Sequence, residues 1–369
     1  MDLQKVKEVF FVFFKLGFIA FGGPAAHIAM MEKEVVEKRK WMTQQYFLDM
    51  IGATNLVPGP NSTQMTMHCG HVRAGWLGLI AGGVGFIFPA VVFTLLLAIL
   101  YGEYGEVPAI APLFYGIKPA VVGIILNATY KLGKKAVKTK QLAVLGAVAL
   151  GLSLYGMDEF LVIIGLGTIG AVIFNFANNR NLNSFLPIIG AKTLILSNTS
   201  IFWVFFKIAM VLFGSGYVLI AYMDAELVEK LGWLTKPQLL DAIAMGQFTP
   251  GPVLTTATFV GYQLNGISGA VYASLGMFLP SFFLVGILVK IIPLLRKSKF
   301  LSYFLDSVNV AAVGIMAAVT FKIGIDVGSD WKAWTLMALS ILVAFKFPKV
   351  SSIYVILGGA IIGYGLMLI

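Results

Sequence analysis

The chain has 369 residues, 59% of them hydrophobic and only 12% charged, and carries a net charge of +10 at pH 7. Soluble domains carry about a quarter charged residues, so this composition excludes a soluble protein and predicts an all-α polytopic membrane protein. Cys69 is the only cysteine, which excludes an intrachain disulfide, a cysteine metal cluster and a thiol redox pair.

The first apolar segments fall at about 8–31, 46–69, 75–101, 110–130, 141–156 and 160–177. A second set follows at about 201–223, 239–262, 267–291, 303–323, 331–346 and 350–369. Lys5 and Lys7 before an apolar run give the start the look of a secretory leader. Against that, the residues from Lys15 onward recur later in the chain, so cleavage would remove part of a repeat. Most basic residues lie in short loops between apolar segments, the usual pattern of cytoplasmic loops, and no nucleic-acid partner is expected.

The two sets are copies of one unit. Lys15–Pro60 aligns with Lys207–Pro252 without a gap, with 18 of 46 positions identical. One residue is then lost, and Gly78/Gly269, Gly85/Gly276, Pro89/Pro280 and Gly123/Gly314 continue the match. Residues 1–180 form a first membrane repeat, 181–200 a linker, and 201–369 a second repeat. Matching loops differ in charge: 131–140 carries five lysines and 101–108 no basic residue, whereas their counterparts near 322–332 and 290–299 reverse that bias. The second repeat is therefore expected to be inverted, as in many secondary transporters. Inversion needs an odd number of crossings per repeat. With the Pro-Gly-Pro segments re-entrant, this gives about ten crossings and both termini outside. The alternative keeps the N-terminus inside, folds the "FGGP" segment back as well, and sends the linker across.

Two breaks interrupt each copy. "NLVPGPNST" and "QFTPGPVLT" place Pro-Gly-Pro within apolar runs, at 58–60 and 250–252. Proline removes a backbone donor, and broken backbone survives at membrane depth only inside protein or beside water. Such breaks also serve as plain kinks, but their recurrence in both copies points to a shared cavity. The residues that follow are rich in donors and free of carboxylates, which suits an anion at a helix N-terminus. The candidate binding residues at the first break are Asn55, Gly59, Asn61, Ser62 and Thr63. At the second they are Gln247, Gly251, Thr255 and Thr256. "AFGGPAAH" and "LFGSGYVL" add Gly22, Gly23, Gly214 and Ser215, so up to four helix starts would surround one pseudo-two-fold axis. Lys15 and Lys207, inside apolar runs, are candidates for attracting the anion, although each could snorkel to an interface.

Glu34, Asp49, Glu226 and Asp241 recur at fixed spacing around a tryptophan. Their surroundings suit a solvated amphipathic helix, and a coupling or gating role is the sharper alternative. His27, His68 and His71 form no metal-binding pattern, and no cofactor is expected. There is no nucleotide-binding signature and no assembled catalytic constellation, so a transporter is expected rather than an enzyme.

Taken together, "FFKLGFIAFGGPAAHIAMMEKEVVEKRKWMTQQYFLD", "NLVPGPNSTQ" and "GGVGFIFPA" resemble the chromate ion transporter family in its long, two-repeat form. The second copy, from "FGSGYVLIAYMDAELVEKLGW" to "FTPGP", is similar to that family's other half. The resemblance implies chromate efflux from the cytoplasm and chromate resistance; alternating access is the expectation from the inverted repeats and their breaks. Gly214-Ser215-Gly216 stands where the first copy has Gly22-Gly23-Pro24, which leaves the equivalence of the two sites open. Sulfate, a dianion of similar shape, and a lipid-linked phosphate handled by a flippase are the alternative cargoes. A homodimer is compatible with either.

Overall fold

The computed structural model describes residues 2–20, 24–54, 57–104, 111–178, 196–213, 216–295, 299–328, 330–347, 350 and 352–367. Among these the chain is helical, with no strand. Three helices are long and apolar enough to cross a membrane, at Asn61–Tyr104, Val253–Val289 and Ser302–Val327. The protein is a multi-pass membrane protein.

Each repeat begins with two helical hairpins. In the first, α1 (Leu3–Ile19) runs to Ala20, and α2 (Pro24–Glu32) continues into a π-helical turn at Lys33–Lys38. The returning strand of this hairpin ends beside the start of α1. Arg39 Nη1 lies 2.8 Å from Glu8 Oε1, and the Trp41 and Phe13 ring centroids are 6.2 Å apart. The chain thus reverses between Ala20 and Pro24 as well as at Pro-Gly-Pro, and residues 21–23 of the "FGGP" segment lie outside the described residues.

The second hairpin pairs α3 (Gln44–Thr54) with the first part of α4 (Asn61–Tyr104) across the Pro-Gly-Pro break. Arg73, at the far end of that first part, also binds Glu8, at 2.8 Å. Both hairpins therefore open on the same side, and their tips lie together at the other end.

Sequence reading gave 75–101 as the next apolar segment and did not foresee how tightly it folds onto the previous one. Ala74 and Gly75 leave the helix inside α4, with Gly75 at φ +63. This φ is one that side-chain-bearing residues rarely adopt. The arms 61–73 and 76–104 then pack back to back. A Cβ on Gly70 would collide with the carbonyl of Gly78, and one on Gly82 with that of Thr66. Asn265 and Gly266 make the same turn in the second repeat, with Gly261 against Gly269. Both reversals sit 191 residues apart, at the offset read from sequence.

The second repeat repeats this order. It comprises α8 (Asn198–Val211), a 3-10 turn and α9 (Leu219–Met223), then a π-helical turn at Asp224–Lys230. After these come α10 (Lys236–Phe248) and α11 (Thr256–Leu295). Helix α1 lies on the long arm of α4 as α8 lies on α11. Gly85 faces Phe10 and Phe14, and Gly276 faces their counterparts Phe202 and Phe206.

The remaining helices are α5 (Ala111–Ala136), α6 (Lys140–Leu154) and α7 (Glu159–Asn178) in the first repeat. Their counterparts are α12 (Lys299–Val327), α13 (Trp331–Lys346) and α14 (Ser352–Met367). These six form one intertwined bundle, in which α5 packs on α13 and α14 while α12 packs on α6 and α7. Small residues let the backbones close: Gly116 meets Gly359, and Gly146 meets Gly314. The second repeat's hairpins pack on this bundle and share its core, whereas the first repeat's hairpins form a smaller cluster of their own.

Gly70→Leu should break the α4 hairpin, because overpacking against backbone costs about 1–3 kcal/mol or more. Gly151→Ala, which faces open space, should leave the melting temperature in detergent unchanged or raise it. Equal melting temperatures for the two variants would contradict the back-to-back packing.

Candidate functional site

The hairpin tips of the two repeats meet crosswise. Gly59 N–H donates to the carbonyl of Leu212 at 2.6 Å, and Gly251 N–H donates to that of Ala20 at 2.8 Å. Ala20 and Leu212 are the residues that end α1 and α8. A helix end leaves carbonyls without partners, and a broken segment leaves amides without partners. Here each repeat supplies what the other lacks. The two glycines hold φ of +116 and +84, a conformation that glycine adopts at little cost. Their amides are therefore already engaged, and any anion must take other donors at the breaks.

Around the first break those donors are present. Asn61, Ser62 and Thr63 open α4. Among the described residues, the N–H groups of Ser62 and Thr63 have no acceptor. Asn61 Oδ1 accepts from the Thr54 hydroxyl at 2.6 Å. The buried His27 bridges the tip: Nε2 lies 3.0 Å from the Ala20 carbonyl and Nδ1 3.3 Å from Ser62 Oγ. A carbonyl only accepts, so Nε2 carries the proton and, in the neutral ring, Nδ1 accepts from Ser62. Gln64 Nε2 donates to the Pro58 carbonyl at 2.6 Å, spanning the break. Thr63 Oγ1, Gln64 Oε1 and Ser281 Oγ are buried without a hydrogen-bond partner.

The second break is built differently. Thr255 and Thr256 each give their hydroxyl proton to a backbone carbonyl, of Pro252 at 3.0 Å and of Val253 at 2.7 Å. Gln247 is half-buried, with Nε2 unpartnered. Gly22, Gly23, Asn55, Gly214 and Ser215 lie outside the described residues, as does the side chain of Asp49 on α3.

The paired lysines have diverged. Lys15 is exposed, whereas Lys207 binds Glu226 Oε2 at 2.9 Å and lies 4.0 Å from the centroid of the Phe160 ring. Lys207 is thus neutralised by a carboxylate and points away from an anion-attracting role. Glu34, the counterpart of Glu226, instead binds Lys38 and Arg39, each at 3.0 Å. Burial pushes the Glu34 carboxyl up, but those two hydrogen bonds outweigh it and hold it below the usual range. Asp241 is buried and joins the second repeat's hairpin to the first repeat. It accepts from Tyr101 Oη at 2.7 Å and lies 3.4 Å from Lys118 Nζ.

Sequence reasoning passed over His27, Ser281, Tyr101 and Lys118. Lys118 did carry a signal, being a lone cation in "FYGIKPAVV". Ser281 carried none, since a serine after a proline in an apolar run is ordinary. A double-mutant cycle checks the Asp241 contact. Lys118→Met or Asp241→Asn alone should lower stability by about 2 kcal/mol, and the double variant should lose less than the sum. Additive losses would show that the pair is not coupled.

No solved structure matches the chain. It is 29% identical to the probable chromate transport protein of Synechococcus elongatus, over 93% of this chain and 91% of that one. It is 28% identical to the chromate transport protein of Cupriavidus metallidurans, over 97% and 92%. A chromate transport protein of Pseudomonas aeruginosa is 28% identical, over 86% and 80%. The chromate transporter family matches twice, over residues 7–171 and 199–364, one match for each of the two structural units, and the chain belongs to that family.

Proposed function

We propose that the protein exports chromate, or a tetrahedral dianion of like size, from the cytoplasm across the inner membrane by alternating access. The anion binds among the hairpin tips, at helix starts that follow the Pro-Gly-Pro breaks. The observation that carries this reading is the crossed pairing of Gly59 with Leu212 and of Gly251 with Ala20. It brings the broken segments of both repeats to one place, next to amides of Ser62 and Thr63 that have no acceptor among the described residues. Helix N-termini with free amides favour anions.

Opposed orientation of the repeats is supported by the ion pairs between them. Lys230, in the π-helical turn of the second repeat, lies 3.6 Å from Asp158 between α6 and α7. Lys138, between α5 and α6, lies 2.7 Å from Asp306 near the start of α12. With two re-entrant hairpins per repeat, each repeat crosses four times, through the long arm and three bundle helices. Opposite orientation then requires one further crossing between the repeats, nine in all. Lys5, Lys7, residues 131–140, the end of α11, the start of α12 and Lys346 at the end of α13 then belong to one face. That face is the cytoplasmic one by the positive-inside rule. This arrangement replaces ten crossings with both termini outside, in which Lys5 and Lys7 were misplaced.

Alternating access is supported by unequal docking of equivalent parts. The second repeat's hairpins are packed on the bundle and share its apolar core, while the first repeat's hairpins form a separate small cluster. Leu48 is 48% exposed and its counterpart Leu240 only 3%. The uncovered stretch also carries Lys33, Glu37, Lys40, Gln44 and Gln45 in exposed positions, which suits water. The geometry fits a state closed outside and open to the cytoplasm. Exchange of the two docking modes would give the opposite state.

Chromate should enter inside-out vesicles saturably, and Gly59→Leu should cut the initial rate more than tenfold without loss of folded protein. Absence of both chromate and sulfate flux in the wild type would defeat the reading, and sulfate flux far above chromate would reassign the cargo. Topology is checked in a Cys69→Ser background. An impermeant thiol reagent added to intact cells should label Tyr155→Cys but neither Lys7→Cys nor Lys135→Cys. Labelling of Lys7→Cys from outside would restore the ten-crossing arrangement.

A further inference from the structure

We infer that the two pseudo-equivalent breaks are not two anion sites, and that the first alone binds the substrate, with Ser281 and Thr63 as specificity-determining hydroxyls. This rests on the reading above and goes further, because it assigns the stoichiometry and names residues outside the broken segments.

The two breaks differ at matching positions. Each Pro-Gly-Pro glycine faces the residue after a proline in the long helix of the other repeat. Gly59 faces Ser281, and Gly251 faces Ala90. Ser281 and Ala90 are themselves counterparts at the 191-residue offset, so the frame is symmetric and the chemistry is not. A Cβ at Gly59 would lie 2.9 Å from Ser281 Oγ and also against the side-chain amide of Gln64. A Cβ at Gly251 would lie 2.9 Å from the methyl of Ala90, with the carbonyl oxygens of Gly17 and Phe86 at 3.3 and 3.7 Å. The first break meets a hydroxyl and an amide. The second meets a methyl and two carbonyl oxygens, which repel an oxyanion.

Orphaned hydroxyls follow the same division, although the second break keeps an orphaned donor in Gln247 Nε2. Ser281, Thr63 and Gln64 are each fully buried, and Ser281 Oγ, Thr63 Oγ1 and Gln64 Oε1 have no hydrogen-bond partner among the described residues. A buried polar atom without a partner costs about 1–3 kcal/mol, so the two hydroxyls beside the first break call for an acceptor; Gln64 Oε1, itself an acceptor, does not. At the second break, Thr255 and Thr256 are both satisfied by backbone carbonyls. Their protons are taken.

The site assigned to the first break takes an oxyanion through neutral donors. The amides of Ser62 and Thr63 and the hydroxyls of Thr63 and Ser281 offer four protons from two elements, one of them in the other repeat. Ser281 reports the relative position of the repeats, since it reaches the anion only while α11 lies against the first break. A guest that presents oxygen acceptors in several directions would use donors from both elements, whereas a spherical halide could not. The selectivity should therefore favour tetrahedral oxyanions over chloride.

Equilibrium dialysis of chromate against the purified full-length protein in detergent should give one bound anion per chain. Ser281→Ala and Thr63→Val should each weaken binding about tenfold. Ser281→Thr, which keeps the hydroxyl, should retain it, and this guards against a folding defect. Thr255→Val and Ala90→Ser should leave binding unchanged. Two anions per chain, or an equal loss from Thr255→Val, would overturn the single site while leaving the transport reading intact. Failure of the wild type to bind either chromate or sulfate would overturn both.

Discussion

A buried backbone group needs a partner, and this fold is organised around four that take one from the other repeat. Two are the amides of Gly59 and Gly251, released by the flanking prolines. Two are the carbonyls of Ala20 and Leu212, released where α1 and α8 stop. In hydrocarbon each such group costs several kcal/mol. Pairing them across the pseudo-dyad removes the cost and makes each repeat's broken segment depend on the other repeat. The same pairing fixes where the hairpin tips meet, and so where the first-turn amides of α4 are held.

On that symmetric frame the side chains are unequal. Lys207 has a carboxylate and an aromatic ring from the bundle side, while Lys15 is exposed. Glu226 is nearly buried and Glu34 turns to basic neighbours in its own repeat. The first repeat's exposed hairpin face and the second repeat's covered one are two environments for one ancestral surface. A surface that has to work both docked and free keeps polar groups that a permanent core would lose, and the charges at 33–45 fit that requirement.

Much of this was legible in sequence, because duplication makes each prediction twice. Pro-Gly-Pro at a constant offset located both breaks. The return of the chain after Ala20 was stated only as an alternative. Glycines and one proline inside an apolar run fit a kink as well as a reversal, and the arbiter was Arg39 reaching Glu8 across the hairpin. The reversal at Gly75 was hidden for another reason: a tight turn between apolar arms leaves no polar loop. Ser281 and Lys118 act across repeats, and contacts between distant segments have no local signature. The unequal docking could not be read at all, since both repeats carry the same apolar pattern and only the packed molecule chooses which one the bundle covers.

The absence of a free cation at the breaks, among the described residues, bears on how a dianion can be held and released. A lysine in the site would attract chromate strongly, but on release it would be left desolvated and unpaired. A buried charge stripped of its partner costs several kcal/mol. That cost would oppose the return of the empty carrier. Amides and hydroxyls bind through fixed dipoles that need no counter-charge when empty, and their field is strongest where water is excluded. On the proposed reading, a site made of such groups leaves no bare charge behind on emptying, and a carrier that returns empty would gain more from that than from tight binding.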